Sequence, residues 1–273
     1  YKYVGNKNAF GFAKGLVKFA NKVVGESNKA ITNAGNGTRE VSLPEEAVQP
    51  PVDTNSGVGY NGNGGLDKNS ILSYSSCKPE ELNNYLKNVL GEEAANNYQQ
   101  TGQWPNEIQI PKSSASLDSE GRIDWSKAKG GGYELDENGD PIREVYSLKQ
   151  GETIDRFGPS SGRFPSPVID GKPYSHDQRS LPYVEDPSQY HQYRVVGDLS
   201  NLEELVKNCK DKDLAEDIDD YIKRWYRGSY KNAKTYYGKI APIEGWGSGG
   251  GIQIELPLPT NWLEALGVLQ EIN

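Results

Sequence analysis

Residues 117–125 (LDSEGRIDW), 135–142 (LDENGDPI) and 168–174 (VIDGKPY) share one layout: a short apolar stretch, an Asp shortly before a Gly, then a second apolar stretch. An Asp carboxylate accepts from backbone N–H groups just ahead of it, and Gly tolerates a left-handed backbone, so each segment reads as a hairpin turn. Strands and hairpins are therefore expected from Trp104 to Val168. On the N-terminal side, Pro79 precedes Glu80 and Glu81, and Leu82, Tyr85, Leu86, Val89 and Leu90 form a stripe. That pattern predicts one helix ending near Tyr98. On the C-terminal side, Ser200 with Glu203 makes a capping box for a helix bearing Leu202, Leu205, Val206 and Cys209. Leu214, Ile218, Tyr221, Ile222 and Trp225 keep helical spacing in a second one.

The sheet is expected to resume after Tyr237. Ile252, Ile254 and Leu256 alternate as in a strand, and Thr260 is a candidate cap for a last helix stopped by Gly267. Helices and strands follow no regular βαβ rhythm, which gives an α+β class: a compact, mostly antiparallel β core with peripheral helices.

Composition bounds the rest. In 273 residues, 34% hydrophobic, there are 31 Gly and 16 Pro, so part of the chain is expected to be linker. Within residues 1–31, Phe12, Leu16, Phe19, Ala20 and Val23 share a helical face, expected as the helical remnant of an upstream region, with a membrane-surface helix as the alternative. Residues 32–75, rich in Gly, Asn, Pro and Glu, are expected as a flexible linker, and 76–273 as the functional domain. The net charge of −8 comes without a basic tract, which argues against nucleic acid as a partner. No run of about 18 apolar residues is present, so no transmembrane segment is expected. The chain begins at Tyr1, lacks Met and shows no signal-peptide layout; it reads as a fragment whose export signal lies upstream. Cys77 and Cys209 leave pairing open. Asp136, Asn138 and Asp140 open like a calcium loop, but Pro141 stands where Gly is required and Ser147 where Glu should be. A hairpin turn is the better reading, and no metal site is expected.

No GxGxxG follows a strand, so hydride transfer on a Rossmann scaffold is not indicated. The chain offers instead DRFG (155–158), GRFPSP (162–167), RSLP (179–182), YHQYRV (190–195), and Ala241-Pro242 followed by GGGIQ (249–253). In order and spacing these blocks resemble the NAD glycohydrolase domain of the tuberculosis necrotizing toxin family. Weaker likeness runs from about Trp104 to Asn273, where NWLEALGVLQEI resembles the family's closing helix and strand.

The resemblance implies a distantly ADP-ribosyltransferase-like fold and hydrolysis of NAD, often also NADP, to nicotinamide and ADP-ribose. The dinucleotide would be a substrate, with no cofactor. It further implies a secreted polymorphic toxin acting in the target-cell cytoplasm and a cognate immunity protein in the producing cell. Arg156 matches an arginine that binds the dinucleotide's phosphates; an ion pair with Asp155 or another carboxylate is its alternative. Phe157 follows it in the same block. Phe164 stands at an aromatic position facing nicotinamide, without the hydroxyl of some members, and would otherwise be core. Arg179 is a second phosphate candidate or a surface arginine, and His191 a catalytic or structural histidine. Gln253 matches the essential glutamine, with Gly250 and Gly251 letting backbone approach the ligand.

Glutamine suits this chemistry for a physical reason. Nicotinamide leaves NAD neutral from a cationic ring, so no acid need protonate it, and an amide can hydrogen-bond a ribose hydroxyl or water without titrating. Residues 243–248 (IEGWGS) depart from the family pattern. Trp246 is a candidate aromatic wall there, and Glu244 either a base inviting ADP-ribosyl transfer or a solvated loop residue. The excursion 201–236 is longer than the family suggests and is a candidate partner-docking element. The rival functions are ADP-ribosyltransfer and an inactive NAD-binding module.

Overall fold

The computed structural model describes residues 68–272; the helix expected within 1–31 and the linker through residue 67 lie outside the described residues. The described chain opens inside the expected linker with α1 (Lys68–Leu72), whose Ile71 is buried. The helix expected to end near Tyr98 is two: α2 (Pro79–Leu90) and α3 (Glu92–Thr101). Gly91 divides them at φ 96°, a conformation that a helix cannot contain.

The strands are β1 (Glu144–Val145), β2 (Thr153–Phe157), β3 (Ser166–Pro167), β4 (Tyr190–Val195), β5 (Tyr236–Lys239), β6 (Ile252–Glu255) and β7 (Leu269–Glu271). They form two antiparallel sheets, ordered β3-β2-β4-β7 and β1-β5-β6. The three Asp-Gly segments are turns as read, but their hairpins shrink to single bridges, Leu117–Ile123, Leu135–Pro141 and Ile169–Lys172. At the calcium-like segment the Asp136 carboxylate accepts from the backbone N–H of Asn138 and Asp140, both at 2.9 Å, as a hairpin turn requires.

The excursion between β4 and β5 holds α4 (Leu202–Lys207) and α5 (Lys212–Trp225). Its apolar stripe faces inward: Leu202, Val206, Ile218 and Ile222 share a core with Ile154, Tyr193 and Ile254. Two expected caps are absent. Asn201 precedes α4, while Ser200 bonds to Asp198; Thr260 is already inside α6 (Thr260–Ala265), its hydroxyl donating to the Ser160 carbonyl at 2.7 Å. A second core joins α2 and α3 to Trp104, Ile110, Ile243 and Trp246. Cys77 and Cys209 are free and buried. Among the described residues no helix is long and apolar enough to cross a membrane.

One seam connects the two sheets. The N–H groups of Ile254 and Leu256 donate to the carbonyls of Pro165 and Arg163 at 2.7 and 2.9 Å, stitching β6 to the chain just ahead of β3. Arg163 reinforces it: Nη2 meets Glu255 at 2.7 Å, while Nη1 donates to the Tyr226 hydroxyl and the Leu256 carbonyl.

Candidate functional site

The register of β2 against β4 sorts the candidate residues onto two faces. Ile154 pairs with Tyr193 and Arg156 with His191, so these four side chains share one face; Asp155 with Gln192 and Phe157 with Tyr190 share the other.

Arg156 is buried at 8% exposure. Its Nη2 donates to the Phe157 carbonyl at 3.3 Å, and its Nε and Nη1 have no hydrogen-bond partner. The guanidinium lies under the turn closed by Gly162 N–H to the Pro159 carbonyl, and any side chain on Gly162 would overlap it. Burial lowers its pKa to about 10, with Tyr193 opposing and Arg179 adding to the fall, so it stays charged at neutral pH. A buried guanidinium without a counterion is costly, and an incoming anion relieves that cost.

Asp155 is not its partner. That carboxylate, fully buried, accepts from Arg179 Nη2 at 2.7 Å on both oxygens and from the Tyr190 hydroxyl at 2.7 Å. The remaining Arg179 donors go to the Tyr174 and Asp155 carbonyls. Arg179 thus holds the second face together rather than offering free donors to a phosphate. Phe157 is likewise enclosed, with Arg179 over its ring, His176 at its edge and Tyr190 beside it. His176 was not singled out by the sequence, because an isolated His in a turn carries no motif. Burial pushes it down to about 3, helped by the positive charges of Lys112 and Arg179.

His191, half-buried beside Arg156, places Nδ1 2.6 Å from Glu271 Oε1. A carboxylate only accepts, so Nδ1 carries a proton toward Glu271. Glu271 arrives from β7, 80 positions away, and no local signal announces it.

Gln253 sits on β6, opposite Gly238 of β5, and its Nε2 donates to the Gly131 carbonyl at 3.0 Å. The glycines beside it divide. Gly250 has open space, whereas a Cβ on Gly251 would stand 2.8 Å from the Gln178 carbonyl, so Gly251 admits the chain's own backbone rather than a ligand. Trp246 is 2% exposed and packs edge-on against Trp125 at 5.5 Å. Its ring belongs to the second core, at the edge of the cleft beside Glu244. Phe164 is 37% exposed, with Arg163 over its ring at 5.0 Å, so one apolar face remains available. Glu244 is exposed on a cleft of about 550 Å³ shared with Lys112, Asp177 and Pro242. Apart from Trp246, no expected site residue lines this cleft.

The seam connects the strands of Arg156 and Gln253 through one short stretch of chain. Gly162 touches the guanidinium and Pro165 bonds Ile254, next to Gln253. Three residues span at most about 10 Å. Arg179, Phe157 and Trp246 are held away by their own packing.

Residues 147–212 match the model of the family described as Tuberculosis necrotizing toxin. That match spans about a quarter of the chain and is a likeness to the tuberculosis necrotizing toxin family over that segment. The matched family segment contains Arg156, Phe157, Phe164, Arg179 and His191; Trp246 and Gln253 lie beyond it. Among solved structures, one titled as tuberculosis necrotizing toxin complexed with its immunity factor IFT is similar at 17% identity and a TM-score of 0.30, over 57% of this chain and 75% of that one. No curated protein matches.

Two outcomes follow from the enclosed face. Arg179→Gln strands the Asp155 carboxylate and is expected to lower unfolding free energy by roughly 3–5 kcal/mol in urea titration; unchanged stability would make Arg179 a ligand residue instead. His176 titrates near 6.5 when unfolded but at about 3 when folded. Below 6.5 the unfolded chain therefore binds a proton that the folded chain refuses, and stability falls as pH drops, by up to about 1.4 kcal/mol per unit. Between pH 7 and 4.5 the wild type should lose more stability than His176→Leu; parallel curves would contradict the assignment.

Proposed function

We propose that this chain is a toxin domain that hydrolyses NAD at the nicotinamide–ribose bond, releasing nicotinamide and ADP-ribose. The observation that carries the reading is Arg156: a buried guanidinium inside the family-matched segment, with Nε and Nη1 unpartnered. A pyrophosphate supplies the missing counterion, and a planar fork suits it. The site opens where the Pro159–Gly162 turn lifts, since Gly162 covers the guanidinium.

With the pyrophosphate there, the nicotinamide ribose extends along residues 162–165 toward Gln253. The exposed face of Phe164 offers nicotinamide a flat apolar partner. Departure of neutral nicotinamide leaves an electron-poor ribose carbon, and Gln253 accepts a hydrogen bond from a ribose hydroxyl or from the attacking water. His191, with Nδ1 bonded to Glu271, faces the same side as Arg156 and in its neutral form is the candidate to receive the water's proton. Hydrolysis is favoured over ADP-ribosyltransfer because Glu244 lies on the separate cleft. The same proposal includes NADP as a further substrate, export from the producing cell, action in a target-cell cytoplasm, and an immunity protein that silences the domain at home.

The test is nicotinamide release from NAD. Wild type should turn over, while Gln253→Ala and Arg156→Ala each lose about a hundredfold or more, the former in kcat and the latter largely in KM. Because a glutamine does not titrate, the Gln253 contribution, taken as the wild-type to Gln253→Ala ratio, should be constant with pH. An inactive wild type freed of any inhibitor, or a Gln253→Ala enzyme as fast as wild type, would overturn the reading.

A further inference from the structure

We infer that the loop Gly130–Tyr133 is the positioning element of the proposed active site: it locks the Gln253 amide with nitrogen inward and oxygen outward. The inference rests on the hydrolase reading for its catalytic meaning but not for its geometry.

Gly130, Gly131 and Gly132 are consecutive left-handed residues at φ 59°, 79° and 87°. Only glycine adopts such a run without strain. The run turns the Gly131 carbonyl to the Gln253 amide, where it meets Nε2 at 3.0 Å across 122 positions of sequence. The loop is itself pinned to the far end of β5: Ala241 N–H donates to the Gly132 carbonyl and Glu134 N–H to the Lys239 carbonyl, both at 2.9 Å. Next in the chain, Tyr133 is 1% exposed. Its ring lies over Gly238, where a Cβ would stand 2.8 Å from the ring edge, and Gly238 is the residue opposite Gln253 in the sheet. The Tyr133 hydroxyl is buried beside the same amide, short of a well-formed hydrogen bond.

This arrangement fixes which way the amide points. A carbonyl oxygen can face only a donor, so the atom opposite Gly131 is Nε2. The other end, Oε1, lies 3.9 Å from the point that a Cβ on Gly132 would occupy, and no well-formed hydrogen bond from the Tyr133 hydroxyl reaches the amide. Oε1 accepts no hydrogen bond among the described residues and is left as an acceptor for a ribose hydroxyl or water. The consequence is specific to amide chemistry. A glutamate at 253 would set carboxylate oxygen against carbonyl oxygen, so Gln253→Glu should turn away from the loop although it is nearly isosteric.

The experiment compares Gly131→Ala with Gly139→Ala. Both glycines are left-handed, at φ 79° and 84°, and neither would meet a close neighbour, so the backbone strain is similar; Gly139 is in the turn 135–142, away from Gln253. Gly131→Ala should lower kcat for NAD hydrolysis about tenfold or more with KM little changed, and Gly139→Ala should leave kcat as in wild type. Independently of activity, the Gln253 side-chain NH2 signals in a 1H–15N spectrum should exchange with solvent more slowly than those of exposed Gln270. That difference should shrink in Gly131→Ala and persist in Gly139→Ala. Equal kcat in the two variants, or wild-type Gln253 exchange as fast as Gln270, would overturn the positioning role. A wild type without NAD hydrolysis but with a protected Gln253 amide would sink the hydrolase reading and leave the lock standing.

Discussion

The seam between residues 163–165 and 254–256 is the constraint on which the rest depends. Without it, β2 with Arg156 and β6 with Gln253 belong to separate sheets. Two backbone hydrogen bonds set the alignment, and the buried Arg163–Glu255 pair, with Arg143 also on that carboxylate, holds it. Such a pair is not an economical source of stability, but removing one partner strands the other, so it fixes one arrangement against alternatives. The 201–236 excursion belongs to this construction. Tyr226, just past α5, accepts from Arg163 and donates to the Pro257 carbonyl at 3.0 Å. Its helices are thus part of the scaffold under the site, and their buried stripe is not a docking face.

The seam also explains how neighbouring residues on β2 come to differ in role. Alternation sends Asp155 and Phe157 to one face, where Arg179, Tyr190 and His176 enclose them. Arg156 goes to the other, where no carboxylate meets it. One arginine is therefore neutralised within the protein, while the other keeps two donors without a partner. The division is set by strand periodicity and a single buried aspartate.

What could be read in the sequence was local. The α+β class, the two-helix excursion, the turns at Asp136 and Asp170 and the blocks around Arg156, His191 and Gln253 all rest on patterns a few residues long. What could not be read is the set of pairings between distant positions. Arg179 stands in a short block like Arg156, and only the fold shows that Asp155 claims it. Trp246 looked available because its loop is rich in glycine, yet its ring completes a core formed by helices more than 100 positions earlier. Glu271 behind His191 and Gly131 behind Gln253 are likewise set by strand order. Caps failed for a related reason: the Thr260 hydroxyl had a better partner in the Ser160 carbonyl than its own helix offered.

The central claim is that one dinucleotide joins Arg156 to Gln253 across the seam. The most direct measurement is a crystal structure with carba-NAD, whose carbocyclic ring resists cleavage. The account predicts the pyrophosphate on Arg156, with the 159–162 turn displaced, and the nicotinamide-bearing ring within hydrogen-bond reach of Gln253 Oε1. A ligand seated in the cleft beside Glu244, with Arg156 still covered by Gly162, would contradict it.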